Sequence, residues 1–389
     1  MQKIINDFFS IVKFFANYPK IKLRILIFDY KTFVSKFSME KVSIQKKLLI
    51  KLIKKENFLL LENFIKNKKT EKLEVLLKNI TKLKTKKIIF IYIYSYLVNI
   101  NEYRLAVIYH KLLCKTIDQH SFFYFQICTL NQNNISKFEL YTRTLEFKLI
   151  YFFLLDKDEK NYVKTILNID KNSKLISHSF NQKDFEYKEN LINKKVKIIG
   201  PLNKKCNLKK KDLKNSFIIR MKNTNFLKDK DFNPHATYLN GSASRQYFKK
   251  KNYLLLNKNL IWVVYINKSF YKTYKKDNNL KNRFANNNNS TFFTCFTELN
   301  LLQKMLLDLI LFSPKEIKLF NFNLYLNKKT RFGYRTAKSM TFNHNQIVMF
   351  DFINFLYKKR KILLENDLKN IVTRGKDNYL KKLEQTWKN

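Results

Sequence analysis

The chain has 389 residues, enough for two packed domains, and its 45% hydrophobic share excludes a wholly disordered protein. Its formal net charge is +47, carried by 67 Lys and 10 Arg against 30 acidic residues. That excess has two readings, attraction to an anionic partner such as nucleic acid or a membrane surface, or lysine drift in an AT-rich coding sequence, since Asn, Ile, Phe and Tyr are abundant too. Dedicated readers of nucleic acid lean on the planar fork of Arg, so diffuse lysine argues against that class. Each Lys or Arg near anionic lipid still contributes about 1 kcal/mol, which keeps a peripheral membrane location open.

The N-terminus lacks a signal-peptide layout, because Ser10 and Lys13 interrupt its short apolar stretch. The most apolar run, residues 88–98, is too short to cross roughly 30 Å of hydrocarbon. A cytoplasmic protein, peripheral at most on the inner face of the membrane, is the expectation. Cys114, Cys128, Cys206 and Cys295 lie far apart with no CxxC pair, which argues against a zinc cluster or a disulfide framework.

The first 199 residues contain no glycine and only Pro19. Leu49, Leu52 and Ile53, then Leu73, Leu76, Leu77 and Ile80, recur at the spacing that lines one face of a helix. Further helices are expected near residues 102–113 and 122–130, so residues 1–185 read as an all-α helical bundle or repeat-like domain. Phe122, Phe123, Tyr124 and Phe125 read as core more readily than as a base-stacking platform. His110, His120 and His178 in this half read as structural.

A polar stretch at residues 156–193 marks the domain boundary, and residues 186–389 read as an α/β domain. Strands are expected at 196–199, 217–221, 260–266 and 317–325, with a helix over 297–312. The first strand runs into Gly200-Pro201, and in an open α/β sheet ligands bind beyond the carboxyl ends of strands. No GxGxxG and no P-loop pattern is present, so a dinucleotide site or an NTPase is not indicated.

The order VKIIGPLNK, DLKNSFIIRMKN, ATYLNGS, TFFTCFTELNLLQKMLLDLILFSPKEIKLFNF and FNHN resembles the bacterial members of the sialyltransferase-like glycosyltransferases, over about residues 185–389. The resemblance implies a Rossmann-like α/β/α catalytic domain. It implies inverting, metal-independent transfer of sialic acid or a related sugar from a CMP-activated donor to a hydroxyl of a glycan or lipid-linked saccharide, with no other cofactor. Gly200, Pro201, Asn203, Arg220 and Asn223 would line the nucleotide pocket, Asn240, Gly241 and Ser242 would match the family's Tyr-Asn-Gly segment, and Thr297 would lie near the amino end of a helix. Thr294 shares that expectation. His344 resembles the late histidine that serves as general base, a task suited to neutral imidazole, and His235 is a secondary candidate for stabilising the leaving phosphate.

Two residues depart from the family pattern. Lys222 stands where Asn is usual, and Glu298 where a small residue is common. The rival from another class is a lysine-rich RNA-binding or ribosome-associated protein, and a second rival is a transferase fold that has lost activity.

Overall fold

The computed structural model describes residues 55–67, 100–116, 180–202, 215–221, 234–239, 260–274, 280–285, 299–326 and 346–388, with single residues and short runs between 71 and 98 and between 138 and 169. In chain order the principal elements are α1 (Lys55–Lys66), α2 (Tyr103–Thr116), α3 (Gln182–Leu191), β1 (Lys195–Ile199), β2 (Ser216–Met221), β3 (Ala236–Leu239), β4 (Trp262–Tyr265), α4 (Lys268–Tyr274), β5 (Lys281–Phe284), α5 (Leu301–Ile310), β6 (Glu316–Phe320), α6 (Gln346–Lys358), β7 (Leu363–Leu364), α7 (Asn366–Thr373) and α8 (Lys376–Lys388).

The strands form one seven-stranded sheet in the order β5-β4-β3-β2-β1-β6-β7, and every neighbouring pair is parallel. A parallel sheet carries helices on its faces, so its strands are buried, apolar runs. WVVY of β4 fits that rule, while KVKII of β1, buried past Lys195, and SFIIRM of β2 bury Lys197 and Arg220 among their apolar residues. From β1 the chain walks outward through β2, β3, β4 and β5. It then returns by way of α5 to lay β6 on the other side of β1. The direction of travel therefore reverses between β1 and β6, which makes this a Rossmann-like, doubly wound arrangement.

One sheet face is the main core. Val196, Ile198, Phe217, Ile219, Tyr238, Trp262, Val264, Ile317 and Leu319 pack there with α5 and α6. Helix α5 is buried at every position and is started by a reciprocal capping box, Asn300 accepting from the Gln303 N–H and Gln303 from the Asn300 N–H. On the opposite face Leu239, Val263 and Tyr265 lie under Phe270 and Tyr271 of α4.

The expected boundary at residue 185 falls inside α3, a capped helix whose Asp184 bonds to β5, so the α/β unit takes in this whole helix. Before residue 180, the described residues in regular structure are helical, but a free-standing all-α domain is not what they show. Helix α2 docks directly on α8: the Arg104 guanidinium meets the Glu384 carboxylate at 2.7 Å, the Arg104 N–H donates to the same carboxylate, and the Asn101 amide donates to the Trp387 carbonyl.

Three strand expectations need correcting. The expected strand 317–325 ends at Phe320, because Asn321 turns out of the sheet at φ 57°. Strands β3 and β5 were not expected: ATYL is four residues long, and KNRF is polar.

Candidate functional site

The reversal between β1 and β6 sets Gly200 against the exit of β6. Its N–H donates to the Phe320 carbonyl at 2.8 Å, and the Leu202 N–H donates to the Asn321 carbonyl at 3.3 Å. A Cβ on Gly200 would lie 2.5 Å from the Asn321 carbonyl oxygen and 2.9 Å from the Phe322 ring. Glycine is thus required by the close approach of the neighbouring strand's exit. Pro201 follows, half-buried.

The exit of β6 is itself strained. Asn321, Leu324 and Tyr325 have φ of 57°, 48° and 68°. Left-handed backbone costs roughly 1–2 kcal/mol per residue for L-amino acids, more readily borne by Asn than by Leu or Tyr. The surroundings hold it in place. Glu365 accepts from the Asn321 N–H at 2.8 Å, the Tyr379 hydroxyl donates to the Leu324 carbonyl at 2.9 Å, and the Trp387 indole donates to the Tyr325 carbonyl at 3.0 Å. Helix α8 therefore clamps the turn that borders Gly200.

Arg220 pairs in register with Ile199 and is buried at 4% exposure. Alternation along a strand puts Arg220 on the same sheet face as Lys197, and Lys197 pairs directly with Lys318 of β6. Lys197 is also 4% exposed. Like charges directly opposite one another repel. Arg220, Lys197 and Lys318 give the sheet a basic face across β2, β1 and β6, on the side away from α5 and α6. This arrangement can balance an anion at the reversal point.

His235 lies elsewhere. Gly200 is level with Met221 and Tyr238, whereas His235 precedes β3 and sits three residues, about 10 Å of strand rise, toward the amino ends. The His235 imidazole Nδ1 accepts the Ile218 N–H at 3.0 Å and the His235 backbone N–H donates to the Ile218 carbonyl at 2.9 Å, so the side chain completes the β2–β3 ladder where β3 has not yet begun. The ring stacks on Phe217 at 5.3 Å. Burial, then the Lys194 charge, pushes its pKa below the ordinary 6.5. These contacts give His235 a structural task in the sheet.

Of the other residues expected in the site, Asn203, Asn223, Asn240, Gly241, Ser242, Thr297 and His344 lie outside the described residues, as do Thr294, Lys222 and Glu298. The structure thus brings Gly200, Pro201 and Arg220 together at the carboxyl ends of β1 and β2 and sets His235 apart from them.

Two features were not expected. The first is a buried polar cluster: Arg283 of β5 bonds Asp184 of α3 at 2.6 Å and both oxygens of Asp308 of α5 at 2.6 and 2.8 Å, with all three side chains at 0% exposure. Tyr238 donates to Asp308 at 2.7 Å and lies 3.3 Å from the Tyr187 hydroxyl. Burial opposes the charge on Arg283, yet Asp308 more than compensates and its pKa is raised. Burial and the Asp308 charge raise that of Tyr238 well above the ordinary 10.0. The polar character of KNRF was the only sequence signal. The second feature is a pair of buried glutamines, Gln303 and Gln346, in the first turns of α5 and α6.

Among the described residues no His, Cys, Asp or Glu group is arranged to hold a metal ion. Among them, too, no helix is long and apolar enough to cross a membrane. The chain matches no protein-family model, no curated protein and no solved structure.

Proposed function

We propose that the chain is a CMP-sugar-dependent glycosyltransferase of the sialyltransferase-like type. The observation that carries this reading is the β1/β6 reversal point. The first of the ordered motifs ends there in Gly200-Pro201, and Arg220 stands in register beside it on a basic sheet face. Ligands of open α/β sheets bind outside the carboxyl ends of the strands at such a point.

In this reading His344 removes the acceptor hydroxyl proton as the acceptor oxygen attacks the anomeric carbon from the side opposite CMP. The bond from that carbon to the phosphate oxygen breaks, its electron pair leaves with CMP, and the configuration inverts. Arg220, with Lys197 and Lys318, offsets the charge that gathers on the departing phosphate. Asn203, Asn223, Asn240, Gly241, Ser242 and Thr297 complete the donor pocket. The acceptor is a glycan or lipid-linked saccharide, and the lysine-rich surface favours a location against anionic lipid. The residues before 180, whose helix α2 docks on α8, recognise the acceptor.

The test is a panel of CMP-sugars offered to the purified full chain, with CMP release and transfer followed separately. The reading requires turnover of at least one donor, and loss of transfer in His344→Ala with CMP binding kept. Turnover of none by folded protein contradicts it.

The net charge of +47 favours a second reading, a lysine-rich RNA-binding protein without enzymatic activity. RNA affinity that falls steeply with salt, together with no response to CMP, would select it.

A further inference from the structure

A helix between two parallel strands must begin at their carboxyl ends. Helix α5 joins β5 to β6, and α6 joins β6 to β7, so both open at the end of the sheet where β1 and β6 part. The two amino termini are neighbours, since the Asn300 amide, at the cap of α5, donates to the Met349 sulfur in the first turns of α6 at 2.7 Å. Each terminus is the positive end of a helix dipole.

Gln346 is the first residue of α6 and is 0% exposed. Neither its Oε1 nor its Nε2 has a hydrogen-bond partner among the described residues. Gln303, at 3% exposure, uses its Oε1 on the Asn300 N–H, and its Nε2 likewise has no partner among them. A buried carboxamide with both ends unmet is costly, and native structures rarely keep one without a ligand or water to complete it.

The inventory selects among ligand groups. A phosphate only accepts, so it would satisfy the two Nε2 groups and leave the Gln346 Oε1 unmet. The hydrogen-bonding edge of a pyrimidine base places a donor beside acceptors. Gln346 offers one acceptor and one donor to it, and Gln303 offers a second donor. Cytosine, with its amino group, ring nitrogen and carbonyl oxygen, uses all three. Uracil does so after rotation of the Gln346 amide.

The geometry points to Gln346 and Gln303 as the base-recognition subsite, which takes a pyrimidine nucleoside at the paired amino termini of α5 and α6. This rests on the CMP-donor reading for the ligand and extends it to two side chains to which the resemblance gave no role. Gln346→Met, of similar volume and apolar, is the informative variant, with cytidine, uridine and adenosine titrated into the full chain by calorimetry.

The expected result is that wild-type protein binds both pyrimidine nucleosides better than adenosine. Gln346→Met should bind cytidine about 10-fold more weakly, as for the loss of two ordinary hydrogen bonds, with an unliganded melting temperature equal to or above that of wild type. Gln346→Asn, which keeps the amide on a shorter arm, should recover part of the affinity. Unchanged cytidine affinity in Gln346→Met, or lowered unliganded stability with affinity kept, overturns the assignment and marks Gln346 as an internally satisfied residue. The two readings fail separately. Turnover of CMP-sugars with equal cytidine affinity in Gln346→Met removes this subsite alone. Pyrimidine binding that depends on Gln346, without any donor turnover, supports the subsite and removes the transferase.

Discussion

Arg283 grips Asp308 through two parallel hydrogen bonds, Nη1 to Oδ2 at 2.6 Å and Nη2 to Oδ1 at 2.8 Å, where neither side chain reaches solvent. The same guanidinium holds Asp184, so one side chain of an edge strand ties α3 and α5 to the sheet. Removing one member of a buried charge network leaves the others uncompensated and costs about 3–5 kcal/mol. Arg283→Met should therefore lose about that much in urea unfolding. Arg283→Lys should recover only part, since a single ammonium cannot reproduce the fork that meets both carboxylates. A loss below about 1 kcal/mol in Arg283→Met would mean that the cluster does not hold the helices.

Gly200 yields a prediction with a built-in control. The added Cβ of Gly200→Ala meets backbone, the Asn321 carbonyl, at 2.5 Å, so the exit of β6 must move. Overpacking of this kind costs about 1–3 kcal/mol. Gly375→Ala has nothing within 4 Å of its new Cβ and suffers only from its φ of 86°. Crystal structures of the two variants separate the effects: displacement of residues 321–322 in the first, and a purely local change in the second.

The His235 imidazole gives the fold a pH dependence of known sign. Its pKa is lowered in the folded chain by burial and by Lys194, while the unfolded chain keeps the ordinary 6.5. Between those two values the unfolded state holds more protons, so stability rises with pH there. The contribution is complete above about pH 6.5 and is lost as pH falls through the lowered folded value. In His235→Asn the side-chain oxygen can accept the Ile218 N–H without titrating. Urea midpoints at pH 7.5 and pH 5 should fall less in this variant than in wild type. Equal falls would remove His235 from the account.

The strained turn beyond β6 depends on α8. Tyr379→Phe removes the hydroxyl that holds the Leu324 carbonyl, leaving a buried acceptor beside backbone at φ 48°. The expected loss is about 1–3 kcal/mol. Hydrogen exchange should report faster opening of residues 321–326 with β2 and β4 unchanged. Uniform acceleration across the sheet would place the role of Tyr379 in the general core instead.

The strands that sequence could locate are those whose burial is achieved with apolar side chains. VKII, FII and WVVY stand out because both sheet faces at these positions exclude water. KNRF did not stand out. Arg283 is neutralised by Asp184 and Asp308, which lie 99 and 25 residues away in sequence, and local patterning carries no record of such a partner. The end of β6 was placed too late because Phe322, Leu324 and Tyr325 continue an apolar run, although Asn321 and Asn323, good turn formers, marked the exit. Gly200 was legible as the close of a strand. The reason for the glycine was not, because the Asn321 carbonyl that demands it comes from 121 residues later. His235 carries a titratable ring that sequence reads as chemistry, yet its partner is a backbone amide set by the stagger of β2 against β3, a relation only the folded sheet reveals.

A CMP-sugar site at the β1/β6 reversal should show in the melting temperature of the full chain in millimolar CMP, with GMP at the same concentration as the control for charge alone. A ligand at 100 times its Kd stabilises the folded state by about 2.7 kcal/mol, enough to raise the midpoint by several degrees. With such a site, CMP gives this rise and GMP a smaller one. No rise with CMP, or equal rises with both, contradicts it.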